Sequence, residues 1–387
     1  MGVERNDNRI DALDGIRAIS MMLVVWFHFW QQSWLTPPWP LEPFVRYGAV
    51  FVDMLILLSA FLNFLPFARA IRAGGELPDT VTFYKKRFVR IVPSYMFCVA
   101  VFFLLAVVEG AYTGSLFWTK DLFHAVTFTS FMNKGVYLGT RITGVLWTVQ
   151  IEMWYYLLMP FLARAFRKLP MLTSVVLIGS SQAVITYITT YQADKIRLYS
   201  NHFLSFAGYY AYGMILCMLY LRLKESKQEK WETAGMTLLL PASVYGIFRL
   251  ICTMGGGRAQ IIQMQIRPIL GVCFAVFLLA ACFSYKYVQA FLGNKMFRFI
   301  ALISYNLYLW HQGIAVKLKS YRVPFWEGDV PPNQLGERPW MWKYQFIIIG
   351  VSVAVAIVTT YFVEKPITVW YNKQVKEGKT NKDKGEK

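Results

Sequence analysis

The chain has 387 residues, of which 56% are hydrophobic and only 16% charged, against roughly 25% charged in ordinary soluble domains. So few charges cannot cover a water-facing exterior, which excludes a string of soluble domains and leaves an integral membrane protein. The net charge of +18 would suggest a nucleic-acid partner in a soluble protein. Here the positions of the basic residues account for it, and no nucleic acid is expected.

Apolar runs long enough to cross a bilayer lie near 12–33, 48–68, 88–108, 145–163, 171–190, 201–221, 233–252, 268–285, 298–317 and 344–363. The first could pass for a signal peptide, since Ile16 to Trp30 is apolar after a basic start. It lacks a small-residue cleavage site and carries Arg17 and His28, so it reads as a retained helix. The segment 121–132 is too short to cross and reads as an interfacial or re-entrant helix. Basic residues crowd alternate turns: Arg69 to Arg90, then Arg164, Arg167 and Lys168, then Arg222, Lys224, Lys227 and Lys230, then Lys286, Lys295 and Arg298. The tail adds six lysines. The opposite turns, including the loop Lys319–Trp342, are richer in Trp, Pro and Gly.

By the positive-inside rule both termini are cytoplasmic. The expected fold is all-α: a polytopic protein of about ten transmembrane helices in the cell membrane. A single transmembrane domain covers 1–371, and 372–387 forms a charged, disordered cytoplasmic tail near anionic headgroups. The five cysteines show no CxxC spacing and read as small buried hydrophobes, so neither a disulfide framework nor a metal site is expected.

Ionisable residues inside the spans are costly and are functional candidates by default. Arg17 and His28 are eleven residues apart, close to three turns, so they share a face about 16 Å apart. The alternation of spans puts Asp53, Glu152 and His311 at about the height of His28, in the outer half. Arg17 and the cluster Lys85–Arg90 gather on the inner side. Plainer readings exist for each. His28 reads equally as an interfacial histidine, and Arg17 as the partner of Asp14 three residues earlier. Asp53 and Glu152 read as helix–helix pairs, the basic run as topogenic, and His124 and His202 as structural. Gly255–Gly257 reads as a flexible turn.

The same residues fall into a pattern that resembles the integral-membrane acyltransferase family 3, whose members O-acylate bacterial surface polysaccharides and related substrates. Leu13-Asp14-Gly15-Ile16-Arg17-Ala18 is similar to the family's opening LDGxRA, and Arg17 with His28 matches its R-x10-H signature. Phe51-Val52-Asp53 with Leu58 to Leu62 resembles VD…LSGFL, with Ala60 where Gly is usual. Phe83 to Tyr95 resembles the basic F…RR..RI.P.Y turn, and Leu146 to Glu152 resembles W[ST]L..E, with Met153 where a second acid often follows. Ser304 to His311 matches SYxLYLWH, and Glu364-Lys365-Pro366 resembles the closing ExP. The matches keep family order from residue 11 to 366.

The resemblance implies transfer of an acyl group, in the first instance acetyl, from cytoplasmic acyl-CoA to a hydroxyl of a cell-surface or lipid-linked carbohydrate. Acyl-CoA is then a donor substrate; no bound cofactor and no metal is implied. Arg17, Lys86, Arg87 and Arg90 would hold its phosphates. His28 would act as general base or as nucleophile, with Asp53 or Glu152 fixing its tautomer. His311, Trp147 and Tyr305 would position the acceptor or hold the oxyanion. With no extracellular transferase domain in the sequence, transfer to the final acceptor is expected to be direct or completed by a separate extracytoplasmic partner. The competing reading is a transporter or flippase of a lipid-linked glycan using the same intramembrane charges. Against it, the sequence shows neither an internal repeat nor inverted broken helices.

Overall fold

Long apolar runs broken by charged turns leave the backbone one solution inside a bilayer, which is to satisfy every N–H and C=O within its own helix. The structure, a computed structural model, describes residues 10–112, 116–226 and 229–385, with side chains through 375; Lys227 lies outside them. No strand occurs among the described residues. The helices of seven residues or more are α1 (Asp11–Ser33), α2 (Phe51–Arg72), α3 (Thr80–Val108), α4 (Phe117–Val126), α5 (Leu146–Lys168), α6 (Pro170–Tyr191) and α7 (Ala207–Glu225). They continue as α8 (Lys230–Thr253), α9 (Ala259–Phe283), α10 (Lys286–Leu292), α11 (Lys295–Ser320), α12 (Arg338–Thr359) and α13 (Lys365–Gly385).

Local chemistry sets the ends. Asp11 and Asp14 in the first turn of α1 face the positive end of its dipole. Asp79 caps α3 by accepting from the Thr82 N–H at 2.7 Å, and that bond holds its carboxyl below the usual carboxylate range. Glu229 and Glu232 form a capping box at α8. Pro66, Pro93, Pro160, Pro241 and Pro268 all sit inside helices, a placement that water-soluble helices avoid and membrane helices tolerate.

Among the described residues, eight helical segments are long and apolar enough to cross a membrane: α1, α2, α3, α6, α7, α8, α9 and the stretch from Arg338 to Val375. The protein is therefore all-α and polytopic. The sequence reading counts two more spans, α5 and α11. At 23 and 26 residues they reach about 35 and 39 Å, so length is not what sets them apart. They are less apolar, and they carry Glu152 and His311. Helix α4 has ten residues, about 15 Å, so the segment near 121–132 does not cross. Where a disordered tail is expected from residue 372, the backbone stays helical from Lys365 to Gly385. Its Lys, Gln and Glu residues are good helix formers, and Gly378 is the only glycine before the last position.

Contacts gather into two compact units. The first takes the chain up to Leu77 with Leu158–Ser304, and the second Pro78–Leu157 with the chain from Tyr305 onward. The boundaries fall inside α5 and α11. In the first unit α2 packs on α7 so closely that a Cβ added to Gly213 would come within 2.7 Å of Ala60 Cβ, the small-residue contact typical of membrane helices. Apolar side chains on α6 and α8, among them Leu172, Val175, Val176 and Leu238, are exposed, as lipid-facing surfaces are.

Candidate active site

Helix α1 carries Arg17 and His28, both half-buried. His28 Nδ1 lies 3.0 Å from the Val24 carbonyl oxygen. A carbonyl oxygen can only accept, so in the neutral ring Nδ1 bears the proton and Nε2 presents the lone pair. The tautomer is thus fixed by α1 itself, a task the sequence reading gives to a carboxylate. The Phe27 ring packs edge-on against His28, with centroids 4.9 Å apart. Beside them, a Cβ on Gly48 would lie 2.5 Å from the Leu23 oxygen and 2.9 Å from Phe27 Cβ. Only glycine lets the chain leading into α2 approach α1 there.

Asp53 follows five residues later and is fully buried. Its Oδ2 accepts from Tyr209 OH at 3.0 Å and from Arg267 Nε at 3.1 Å. Arg267, also fully buried, donates from Nη1 to the Ser200 oxygen and to Ser205 Oγ. Its guanidinium lies 4.3 Å from the Phe206 ring centroid. These are the contacts of an ion pair joining α2, α7 and α9. Sequence reasoning groups Asp53 with the acid–base residues and misses its partner. The eighth expected apolar run begins at 268, one residue past Arg267, so the one arginine of α9 goes unremarked.

The second unit holds the other candidates. Lys86 and Arg90 are exposed on the first turns of α3, with no ion-pair partner among the described residues. Arg87 lies over the Phe83 and Tyr156 rings at 5.5 and 5.8 Å, and Tyr156 OH donates to Glu152 Oε2 at 3.2 Å. One aromatic ring therefore links the basic turn to the carboxylate. Helices α3 and α5 are antiparallel, since Tyr84 OH donates to the Leu157 oxygen and Gln150 Nε2 to Tyr95 OH. Arg90 and Glu152 fall between these contacts at one level. The sequence reading puts Glu152 a half-membrane away from the basic turn. The difference arises because α3 begins at Thr80, eight residues before its apolar run.

His311 is fully buried, with Nδ1 2.8 Å from the Tyr308 oxygen and 3.0 Å from that of Leu307. Like His28 it is held with Nδ1 protonated by its own helix. Cys98 Sγ donates to the Leu309 oxygen and Gly313 faces the Phe102 ring. His311 thus stands level with Ala100, about 15 Å along α3 from Arg90. Trp147 is half-buried in the first turn of α5. The Tyr305 hydroxyl is engaged, donating to the Ile91 oxygen at 2.9 Å. Gln150 donates to Tyr95 OH and Ser130 Oγ and accepts from the Ser130 N–H, pinning the loop after α4. His124 contacts Thr129 and Asn133, and His202 accepts from the Leu204 N–H; both act structurally. Between α12 and α13 the turn Thr360–Glu364 is π-helical. There Asn306 Nδ2 donates to Thr360 Oγ1 and to Glu364 Oε2, at 2.9 and 2.7 Å.

The profile of a family described as an acyltransferase domain, acyltransferase 3, matches residues 10–361. ORF330, a predicted acetyltransferase of Acidianus two-tailed virus, is 26% identical over 79% of this chain and 82% of its own length. The O-acetyltransferase OatA of Staphylococcus aureus is 22% identical over 92% of this chain, which spans 57% of OatA's length. Nodulation protein 10 of Rhizobium leguminosarum is 26% identical over 43% of this chain and 47% of its own length. No solved structure matches.

Proposed function

The chain belongs to the acyltransferase 3 family and is an acyltransferase, and from that premise we propose that it moves an acetyl group from cytoplasmic acyl-CoA to a hydroxyl of a cell-surface or lipid-linked carbohydrate. The observation that carries the reading is α1, which presents a cation and a tautomer-fixed histidine about 16 Å apart. The acetyl choice follows the names of the relatives. In the proposed topology both termini are cytoplasmic, and α5 and α11 cross with the eight apolar helices.

Arg17, Lys86, Arg87 and Arg90 bind the donor's phosphates, where guanidinium forks suit bidentate contacts. His28 Nε2 takes the proton of the acceptor hydroxyl. The hydroxyl oxygen then attacks the thioester carbonyl carbon, the C–S bond breaks, and the departing thiolate is protonated. Trp147 and the Tyr305 ring line the acceptor's place, and His311 is the second acid–base group. Asp53 acts through Arg267 and Tyr209 by fixing α2, and Glu152 acts through Tyr156 on the basic turn. Where the acceptor is remote, a separate extracytoplasmic partner completes the transfer.

The test is incubation of purified protein with acetyl-labelled acetyl-CoA and isolated surface glycan or lipid-linked glycan. Label should reach a glycan hydroxyl and free coenzyme should appear. An intact thioester, with glycan translocated across vesicles instead, would establish the transporter reading.

A further inference from the structure

The glycine turn 255–257, a flexible reversal by sequence, has a defined shape. Met254–Gly256 is a tight helical turn, and Gly257 follows at φ +123°, a conformation open only to glycine. The reversal carries the chain from α8 into α9 and sets Arg258 at the head of α9. Opposite it, the chain leaving α6 makes a second short turn, Ala193–Lys195, continued by Ile196–Tyr199. Between the two runs, both in the first unit, lies a cleft of about 530 Å³. Ala193, Asp194 and Ile196 wall one side, and Arg258, Gln260 and Ile261 the other. Sites for small molecules span about 300–1,000 Å³, so the cleft is of ligand size.

Its base is fixed and its rim is not. Ile196 and Tyr199 pack on Ile185, Ile188 and Met264, and Arg267 Nη1 donates to the Ser200 oxygen at 3.1 Å. Asp194, Arg258 and Gln260 are exposed, and their side chains have no partner among the described residues. A carboxylate and a guanidinium thus line one cleft without pairing. The cleft also stands at the His28 end of the first unit. Arg258 is three residues, at most about 10 Å of chain, from Gly255, where a Cβ would lie 3.6 Å from Tyr47 OH. Tyr47 adjoins Gly48, which meets Phe27 beside His28.

We propose that this cleft is a carbohydrate-binding subsite, which holds a non-reacting part of the acceptor while the target hydroxyl lies at His28. The role rests on the acyl-transfer reading and its topology, in which both turns face outward. A hydroxyl offers one donor and two acceptor positions. Neighbouring hydroxyls of one sugar therefore satisfy Asp194, Arg258 and the Gln260 amide together, and the C–H face of the ring rests on Ile196 and Ile261. A phosphate headgroup would suit Arg258 but be repelled by Asp194. Contacts remote from the reacting atoms are what orient a substrate for attack, and an extended oligosaccharide bridges the interval from the cleft to the histidine.

The test is saturation-transfer NMR of full-length protein in nanodiscs, with short oligosaccharides released from the host's surface glycan as the probe. The unmodified protein should bind them. Asp194→Asn and Arg258→Met should each weaken binding about tenfold, the worth of one hydrogen bond to a charged group. Melting temperatures should not move, since neither side chain has a partner in the protein. Gly256→Ala, whose Cβ would enter open space on the same turn, should bind normally. No binding by the unmodified protein, or equal binding by both rim variants, overturns the proposal. Tighter binding in Asp194→Asn with weaker binding in Arg258→Met is the pattern of an anion site, as for a lipid headgroup, and equally overturns it. In acetyl-transfer assays the rim variants should raise the KM for the glycan with kcat and the KM for acyl-CoA unchanged; an unchanged glycan KM overturns the acceptor role. Oligosaccharide binding without acetyl transfer by the unmodified protein sinks the acyl-transfer reading and leaves the carbohydrate site standing.

Discussion

In the first unit the carboxylate of Asp53 meets Arg267 and Tyr209, Arg267 meets Ser200 and Ser205 in turn, and the Phe206 ring covers the guanidinium. In the second unit Gln150, Tyr95 and Ser130 close a network of their own, yet Ser94, Asn306, Ser352 and Thr359 keep atoms unmet. Both units carry a histidine held by its own helix, about 15–16 Å along an axis from an arginine. What differs is the support. A closed polar network fixes one geometry and holds helices rigidly, whereas an open one keeps room for exchangeable ligands.

The largest expected effect tests which histidine does the chemistry. His28→Ala should cut turnover by about 10²–10⁴, the usual worth of a positioned base, with donor binding preserved. Near-normal turnover in steady-state assays, together with its loss in His311→Ala, would move the base to the second unit.

Next comes the closed network. Asp53→Asn or Arg267→Met alone should lower stability by about 3–5 kcal/mol, because each strands a buried charge or its partner. The double variant Asp53→Leu with Arg267→Met should recover most of that in thermal unfolding. Its activity per folded molecule should stay near normal. A collapse of turnover in the stable double variant would make Asp53 a chemical participant.

Arg90→Ala should raise the KM for acyl-CoA by the equivalent of about 1.5–3 kcal/mol, the worth of a hydrogen bond to a charged group, with kcat nearly constant. An unchanged KM in correctly inserted protein would return Arg90 to a purely topogenic role.

The smallest effect concerns the rim of the second unit. Hydrogen bonds from Lys317 and Tyr321 hold the Glu109 carboxyl below its ordinary value of 4.5. A depressed folded value means the tie stabilises above the unfolded pKa and is lost as pH falls through the folded one. Glu109→Gln should therefore cost at most about 1 kcal/mol at neutral pH, as partly exposed pairs do. The gap from the unmodified protein should close on acidification below 4.5, which melting curves across pH will show.

What the sequence disclosed depended on whether one helix sufficed to read it. The eleven-residue interval from Arg17 to His28 lies on one helix, and its shared face follows from 3.6 residues per turn. The height of Glu152 depends on where α3 starts and how it slides past α5. Neither is encoded in an apolar window, so the sequence reading separates Glu152 from Arg90. Arg267 escaped for a related reason. Its charge is cancelled by Asp53, 214 residues away, and pairing at that range leaves no local trace. The tail shows a third limit, since a polar composition argues for disorder and yet suits a helix that α12 has already nucleated.

The contact between Ala60 and Gly213 bears on how such chains diversify. The family pattern that this sequence resembles carries glycine at position 60, and the chain has alanine there, yet the helices still meet closely because the glycine stands on the opposite wall. The requirement is not a simple sum of two side chains, because a Cβ at 213 would also come within 2.9 Å of the Phe61 backbone nitrogen and 3.1 Å of the Ala60 carbonyl carbon. Position 60 can therefore carry either glycine or alanine, while position 213 is held to glycine by the main chain opposite. Exchanging Ala60→Gly with Gly213→Ala would force the two helices apart, and the tolerance of the interface runs in one direction only.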